Sequence, residues 1–239
     1  YILKLPHLLL ALSLLIFTNI GAQQADHSCN HCQKLKHKRH QQQSNGYFKT
    51  LNIDYNDRSD TVDILHYNID FRYISFNPGS IEAATTLQFT PKMNNVGHLT
   101  MDLLGLTVDS VKMGGNNLSY TYDGLHLVAN FGSPLNNSDT AMLTVYYRGT
   151  PQPDAMWGGF YFQNGYGYNL GVGFSANPHV FGRVWYPCFD NFVERSTYTF
   201  TITTPNTKTS HCNGILMSDV VNGSERTRIW QMNSPIPSY

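Results

Sequence analysis

GRVWYPCFDNFVERSTYTFTITTP, residues 182–205, joins two dissimilar patterns. Residues 182–190 form an irregular cluster of aromatic residues with a proline, a cysteine and an aspartate. Residues 196–204 alternate with period two, which predicts a β-strand with Tyr198, Phe200 and Ile202 facing inward. Such a strand can anchor the irregular cluster that precedes it, because functional loops are usually positioned by a rigid scaffold.

The same alternation recurs upstream, and it predicts an all-β fold over residues 61–239. Residues 62–73 predict a long half-buried strand with one inward face: Leu65, Tyr67, Ile69, Phe71 and Tyr73. Residues 80–91 predict a second strand with one inward face: Ile81, Ala83, Thr85, Leu87 and Phe89. Residues 98–113 predict two strands separated at Gly105, and Asp123-Gly124 and Asn222-Gly223 predict hairpin turns. No helical apolar stripe follows residue 60, so we expect an antiparallel β-sandwich or saddle-shaped sheet.

One glycine- and aromatic-rich stretch, residues 153–181, has no clear period. Its GYGYNLGVG segment resembles a phosphate-binding loop only loosely, because Pro178 follows closely and no helix is predicted after it. We interpret the segment as a flexible aromatic loop.

The amino-terminal region predicts export. Residues 8–17 form a short apolar run after Lys4, and Gly21-Ala22 offers a cleavage site, so residues 1–22 read as a signal peptide. The run is shorter than the ~20 residues of a membrane span. Residues 23–60 are polar and read as an unstructured linker. We therefore expect a secreted or periplasmic protein without a membrane span.

The net charge and the linker cysteines bear on two kinds of partner, nucleic acids and metal ions. The 16 basic and 16 acidic residues balance, so nothing in the net charge favours a nucleic-acid partner. Cys29 and Cys32 lie among four histidines in the linker, and they can pair, bind a metal or stay reduced. A solvated linker without metal is the interpretation we favour.

Catalytic motifs are absent from the sequence. It contains neither H-E-x-x-H nor G-x-S-x-G. Cys188 would be a nucleophile only if His179 or His211 approached it in space, as in a Cys/His hydrolase. A disulfide between Cys188 and Cys212 is the alternative, since an antiparallel return after Pro205-Asn206 would bring them together.

The order of these motifs resembles one family over residues 60–239. Arg183, Trp185-Tyr186 and Pro187-Cys188-Phe189-Asp190, followed by the alternating strand, resemble the amino-terminal domain of the aminopeptidase N family of zinc metallopeptidases. The opening strand VDILHYNIDFRY, the Cys212-Asn213-Gly214 segment and the closing SPIPSY are similar to that family's segments in the same order.

The resemblance implies a non-catalytic domain. In such enzymes the β saddle lies over a zinc-bearing catalytic domain, walls the substrate cleft and docks that domain. It implies a domain-interface cluster: Arg183, Trp185, Tyr186, Pro187, Cys188, Phe189 and Asp190. Arg183 and Asp190 are expected to pair. The zinc site and the hydrolysis of amino-terminal peptide bonds would belong to residues beyond Tyr239, so we expect this chain to hold no metal and to be inactive alone.

One departure concerns the substrate cleft. The family often carries Gln or Glu where this sequence has Ala176 and Pro178, which leaves Asn177 and His179 as substrate-cleft candidates. The rival hypothesis is a secreted aromatic-rich β-sandwich that binds a glycan or a protein, with FYFQNGYGYNLG as a stacking surface.

Overall fold

The computed structural model describes residues 58–239. The predicted signal peptide and most of the predicted linker, with Cys29 and Cys32, lie outside the described residues. The strands of the described part are β1 Val62–Ser75, β2 Ser80–Pro91, β3 Val96–Asp102, β4 Thr107–Met113, β5 Asn116–Asn117, β6 Tyr120–Tyr122, β7 His126–Leu135, β8 Ala141–Gly149, β9 Gly158–Gln163, β10 Tyr166–Gly173, β11 Ser196–Pro205, β12 Ile215–Asn222 and β13 Glu225–Ile236. A 3-10 turn spans Gly182–Val184.

These strands form three sheets, which confirms the all-β fold class. The largest sheet has eight strands in the order β12-β13-β11-β1-β2-β8-β4-β5, and smaller sheets contain β3-β7-β6 and β10-β9. The large sheet is mixed, because β1 and β11 are parallel while its other pairs are antiparallel. Within residues 58–239 no helix is long and apolar enough to span a membrane.

The inward faces of β2 and β11 are as predicted. Thr85, Leu87 and Phe89 of β2 are buried, and so are the alternating residues of β11. Aromatic rings join the two central strands, since Tyr67 of β1 stacks on Tyr198 of β11 with centroids 5.1 Å apart. Edge-to-face and offset ring pairs of this kind add to the energy of area burial.

Two predicted inward residues of β1 are in fact exposed. Register shifts in the β1–β2 ladder lie between Ile64 and His66 and between Phe71 and Tyr73. A bulge adds one residue to a strand and so reverses the face of the residues beyond it. Ile64 is therefore buried in place of Leu65, which is 38% exposed, and Tyr73 is 56% exposed.

The flexible loop predicted at residues 165–173 is wrong, because this segment forms the turn and second strand of the β9–β10 hairpin. Its turn is Asn164-Gly165, and both residues have positive φ, 53° and 77°. Asn-Gly is the dipeptide that two-residue hairpin turns prefer. The sequence cue was therefore present, but the absence of alternation around it concealed the strands.

The folded part also includes residues 58–60, which we assigned to the linker. Residues 58–61 are helical, and Ser59 is buried. Asn191 donates from Nδ2 to the Ser59 hydroxyl at 3.1 Å, and Lys92 donates to the Ser59 carbonyl at 2.6 Å. Both contacts join this turn to distant parts of the chain.

Candidate functional site

The predicted interface cluster lies inside the domain. Every residue from 181 to 190 is buried by the chain's own elements. Trp185 stacks on Phe71 at 5.6 Å, and Tyr186 lies edge-on to Tyr67 at 5.6 Å. The side chains therefore form core in this domain, and their contact with a second domain stays a prediction.

Arg183 and Asp190 do pair, as predicted, at the centre of this cluster. The guanidinium Nη1 lies 3.5 Å from the Asp190 carboxylate, which also accepts hydrogen bonds from the main-chain N–H groups of Gly182 and Arg183 at 3.0 and 3.3 Å. Burial raises the pKa of Asp190, while Arg183 and the Ser238 hydroxyl counteract part of that rise. The Asp190 carboxylate thus fixes the loop of residues 182–190, and its burial carries an unfavourable desolvation energy.

Asp102, a residue that the sequence reading missed, joins this loop to the three-stranded sheet. Its main chain exchanges two hydrogen bonds with Cys188, at 2.8 and 3.0 Å. Its carboxylate accepts from Asp190 N at 2.9 Å and pairs with Arg58 Nη1 at 2.9 Å. The one sequence cue was an acidic residue inside an otherwise apolar run, LTMDLLGL.

The last residues of the chain are held against the same loop. Ser238 Oγ donates to Asp190 Oδ1 at 2.6 Å, and Tyr186 OH donates to the Ser238 carbonyl at 2.7 Å. The Tyr239 ring meets Phe192 edge-on at 5.7 Å. The loop and the residues after it therefore hold Ser238 and Tyr239 in place.

Asp154 fixes a second pair of loops beside this point. Its carboxylate accepts main-chain N–H groups from Met156, Trp157 and Ser175 at 2.9–3.1 Å. Burial raises the pKa of Asp154, but these donors outweigh burial and hold the pKa at about 2. The turn at residues 154–158 is thereby tied to the turn at residues 173–176.

These contacts present an exposed aromatic surface, which we call the exit surface: Met156, Trp157, Phe174, Phe192 and Tyr239. Trp157 and Phe174 are 48% and 56% exposed, and their ring centroids are 5.1 Å apart. Tyr239 lies close to Gly171 of β10, which is three residues before Phe174. The main-chain carbonyl carbon of Tyr239 is 3.0 Å from the position that a Cβ on Gly171 would occupy. The two ring pairs therefore flank the end of β10.

Asn177 and His179, the predicted cleft residues, lie on the loop after β10 beside the exit surface. Both are exposed. His179 Nδ1 is 3.3 Å from the Gly173 carbonyl. Ala176, which precedes Asn177 in the sequence, is buried. The two candidates can therefore meet solvent or another domain, whereas Ala176 cannot.

Both described cysteines are free thiols, so the disulfide considered between Cys188 and Cys212 is not formed. Cys188 is fully buried and its main chain is bound to Asp102. Cys212 is only partly buried and lines a groove of the domain. Burial raises the pKa of Cys188, and burial raises the pKa of Cys212 to about 12. Nucleophilic cysteines need a lowered pKa, which argues against a Cys/His hydrolase.

A groove of about 810 Å³ lies between the β9–β10 hairpin and the large sheet. We call it the aromatic groove: its lining includes Phe71, Phe160, Phe162, Trp185, Phe200 and Lys208. Lys208 bridges its two walls, because Nζ donates to the Gly165 carbonyl at 2.7 Å.

Residues 58–239 contain no group of three or more His, Cys, Asp or Glu side chains placed to hold a metal ion. The buried carboxylates near the exit surface are engaged with Arg183, Arg58 and main-chain donors. The described residues therefore do not fit a zinc site.

Comparison with known proteins identifies relatives of this domain. The profile of the peptidase M1 N-terminal domain family matches residues 63–239. No curated protein matches the chain significantly. Among solved structures, an M1 zinc metallopeptidase from Deinococcus radiodurans, in a mutant form bound to a Tyr-Ser-Ala substrate, superposes with a TM-score of 0.67 at 21% identity, over 75% of this chain and 41% of that chain.

A second solved structure, leukotriene A4 hydrolase from Saccharomyces cerevisiae, superposes with a TM-score of 0.52 at 20% identity, over 75% of this chain and 28% of that chain. At these identities the likeness shows the fold alone. The chain spans less than half the length of either structure.

Proposed function

The chain belongs to the family of peptidase M1 N-terminal domains, and we propose that it is the non-catalytic β domain of a secreted zinc aminopeptidase-like metallopeptidase. In this proposal the domain walls the substrate cleft and docks a catalytic domain. The parent protein hydrolyses amino-terminal peptide bonds, and peptides are its substrates. The exit surface is the observation that carries the docking role.

Docking is supported by the chemistry of the exit surface. Contiguous exposed apolar patches on soluble domains usually mark interaction sites. Trp157 and Phe174 are large rings with little rotational freedom to lose, as interface anchors often are. Tyr239 belongs to the same surface, and one solved M1 zinc metallopeptidase that the domain resembles, at 21% identity and a TM-score of 0.67, is described as a two-domain protein. A domain following Tyr239 would start on this surface.

Asp154 and Asp190 have the positioning role in this proposal. Asp154 orients the loops that carry Trp157 and Phe174, and Asp190 holds Ser238 next to Tyr239. Zinc bound by the catalytic domain would polarise the scissile carbonyl and activate water. Residues 58–239 hold no cluster of side chains placed to bind zinc. Asn177 and His179 are the candidates for contact with the substrate.

The first experiment is to read the coding sequence that follows Tyr239. We expect an H-E-x-x-H motif and, about one helix later, a glutamate that completes the zinc site. A stop codon, or further strands without this motif, would overturn the proposal and favour a binding module.

The second experiment measures binding between this chain and the downstream domain by titration calorimetry. We expect Trp157→Ser and Phe174→Ser each to weaken binding at least about tenfold, which corresponds to ~1.4 kcal/mol. Met142→Ser is the matched control, since Met142 is 58% exposed on β8 in the large sheet. Equal effects of all three substitutions would refute docking through the exit surface.

Export is tested separately by expressing the chain with its own amino terminus and sequencing the secreted product. A product that starts at Gln23 would support the signal peptide, and retention of residues 1–22 in the cell-associated chain would contradict it.

A further inference from the structure

The aromatic groove has the size of a ligand site. Its volume of about 810 Å³ falls within the ~300–1,000 Å³ that small-molecule sites usually have. Eleven of the lining residues are Phe, Tyr or Trp, and core packing holds several of these rings in place. Trp185 stacks on Phe71, and Phe160 and Phe162 of the β9–β10 hairpin lie 5.2 Å apart. The groove is therefore largely formed before any ligand enters.

The groove is elongated. Its floor follows β11 from Tyr198 through Phe200 and Ile202 to Thr204. Six residue steps of a strand, at about 3.3 Å each, give a length of roughly 20 Å. An elongated apolar molecule would therefore bury more of its surface here than a compact one.

Charge distinguishes the two ends of the groove. No aspartate or glutamate lines it, and Lys208 is its one lysine or arginine. Lys208 lies at the Thr204 end, where the Thr204 hydroxyl donates to the Lys208 carbonyl at 3.4 Å. No carboxylate lies within ion-pair distance of Lys208 among residues 58–239.

The Lys208 ammonium has neutral partners. Nζ donates to the Gly165 carbonyl and lies 4.4 Å from the centroid of the Phe76 ring. An ammonium group has three donors, so Lys208 can keep the Gly165 bond and still bind an anion. A positive charge without an acidic neighbour at one end of an apolar groove favours an amphiphile with an anionic end.

We propose that the aromatic groove binds an elongated apolar molecule with one terminal carboxylate, as in a fatty acid. The tail lies along β11 between the hairpin and the sheet, and the carboxylate meets Lys208. Binding is reversible and forms no covalent bond. Tyr239 lines both this groove and the exit surface, whereas Lys208 belongs to the groove alone, and the proposal does not depend on docking.

The test is a fluorescence titration of the 239-residue chain with cis-parinarate, a fatty acid whose emission rises in apolar surroundings. We expect saturable binding of one molecule per chain. Lys208→Gln should weaken it about tenfold, and Lys208→Arg should restore it, because the positive charge returns. The methyl ester of the probe should bind the unaltered chain about as weakly as the acid binds Lys208→Gln.

Lys112 provides the matched control. It also lies over an aromatic ring, with Nζ 5.4 Å from the Tyr146 centroid, but it is outside the groove. Lys112→Gln should leave binding unchanged, and circular dichroism should show that every variant is folded. The proposal is overturned if binding does not saturate, if acid and ester bind equally, or if the Lys112 and Lys208 variants lose binding equally.

Discussion

Asp190→Asn tests whether the buried carboxylate holds the loop and the end of the chain together. The substitution keeps the shape of the side chain but removes the charge that faces Arg183 at 3.5 Å. It also weakens the acceptor of the 2.6 Å hydrogen bond from Ser238. Arg183 and Ser238 are both buried, so water cannot replace the lost carboxylate as their partner without opening the core.

The magnitude follows from the burial of the pair. Removing one partner of a buried ion pair usually costs about 3–5 kcal/mol. The pKa of Asp190 is raised by burial, which means that its partners do not fully offset its desolvation. We therefore expect the lower end, about 3 kcal/mol, out of a total stability of about 5–15 kcal/mol.

Urea unfolding followed by tryptophan fluorescence measures this loss. With a urea dependence of about 1–3 kcal/mol/M, the midpoint should fall by about 1–3 M. Ser238→Ala should cost less, about 1.5 kcal/mol, since it removes one hydrogen bond to a charged acceptor. Asp63→Asn is the control, because Asp63 and Lys92 form an exposed pair at 3.7 Å that contributes about 0–1 kcal/mol. If Asp190→Asn costs no more than Asp63→Asn, the buried carboxylate does not hold the loop.

Three further predictions concern the bulge, the Asp154 turn and the thiols. Ile64→Ala should cost about 2–5 kcal/mol in urea unfolding and Leu65→Ala less than about 1 kcal/mol, since Ile64 is 1% exposed; the reverse order would contradict the β1 bulge. Asp154 has a pKa of about 2, below its ordinary value of about 3.9, so the stability it contributes is present above pH ~4 and is lost as the pH falls toward 2. Asp154→Asn should therefore flatten the fall in melting temperature between pH 4 and pH 2, and an unchanged slope would exclude this group as its cause. Cys188 should resist iodoacetamide in the native chain and react after denaturation, because burial raises its pKa; rapid native alkylation, located by mass spectrometry, would revive the hydrolase hypothesis.

Much of the fold was predictable from local pattern. Alternation over β2 and β11 identified strands and their buried faces, since each side chain of a strand points opposite to its neighbours. It failed at Leu65 and Tyr73, because a bulge is decided by pairing with β2 rather than by β1 itself. It also failed in the β9–β10 hairpin, where glycines interrupt the apolar alternation.

The candidate site was predictable only in part. The pairing of Arg183 with Asp190 was anticipated, and both lie within one short motif. The role of Asp102 was not anticipated, because its carboxylate accepts a hydrogen bond from the Asp190 main chain, 88 residues away in the sequence. Burial of the whole Arg183–Asp190 cluster was also missed, since aromatic residues suit a core and an interface equally well.

The sequence by itself determined most of the strands, the order of the family motifs and the presence of an aromatic cluster before β11. These depend on side-chain period and on residue order, both of which can be read along the chain. Tertiary structure alone decided which aromatic residues stay exposed around Tyr239, and it placed Lys208 without an acidic neighbour at the end of the aromatic groove. Exposure and local charge depend on packing between segments far apart in sequence, which no local pattern encodes.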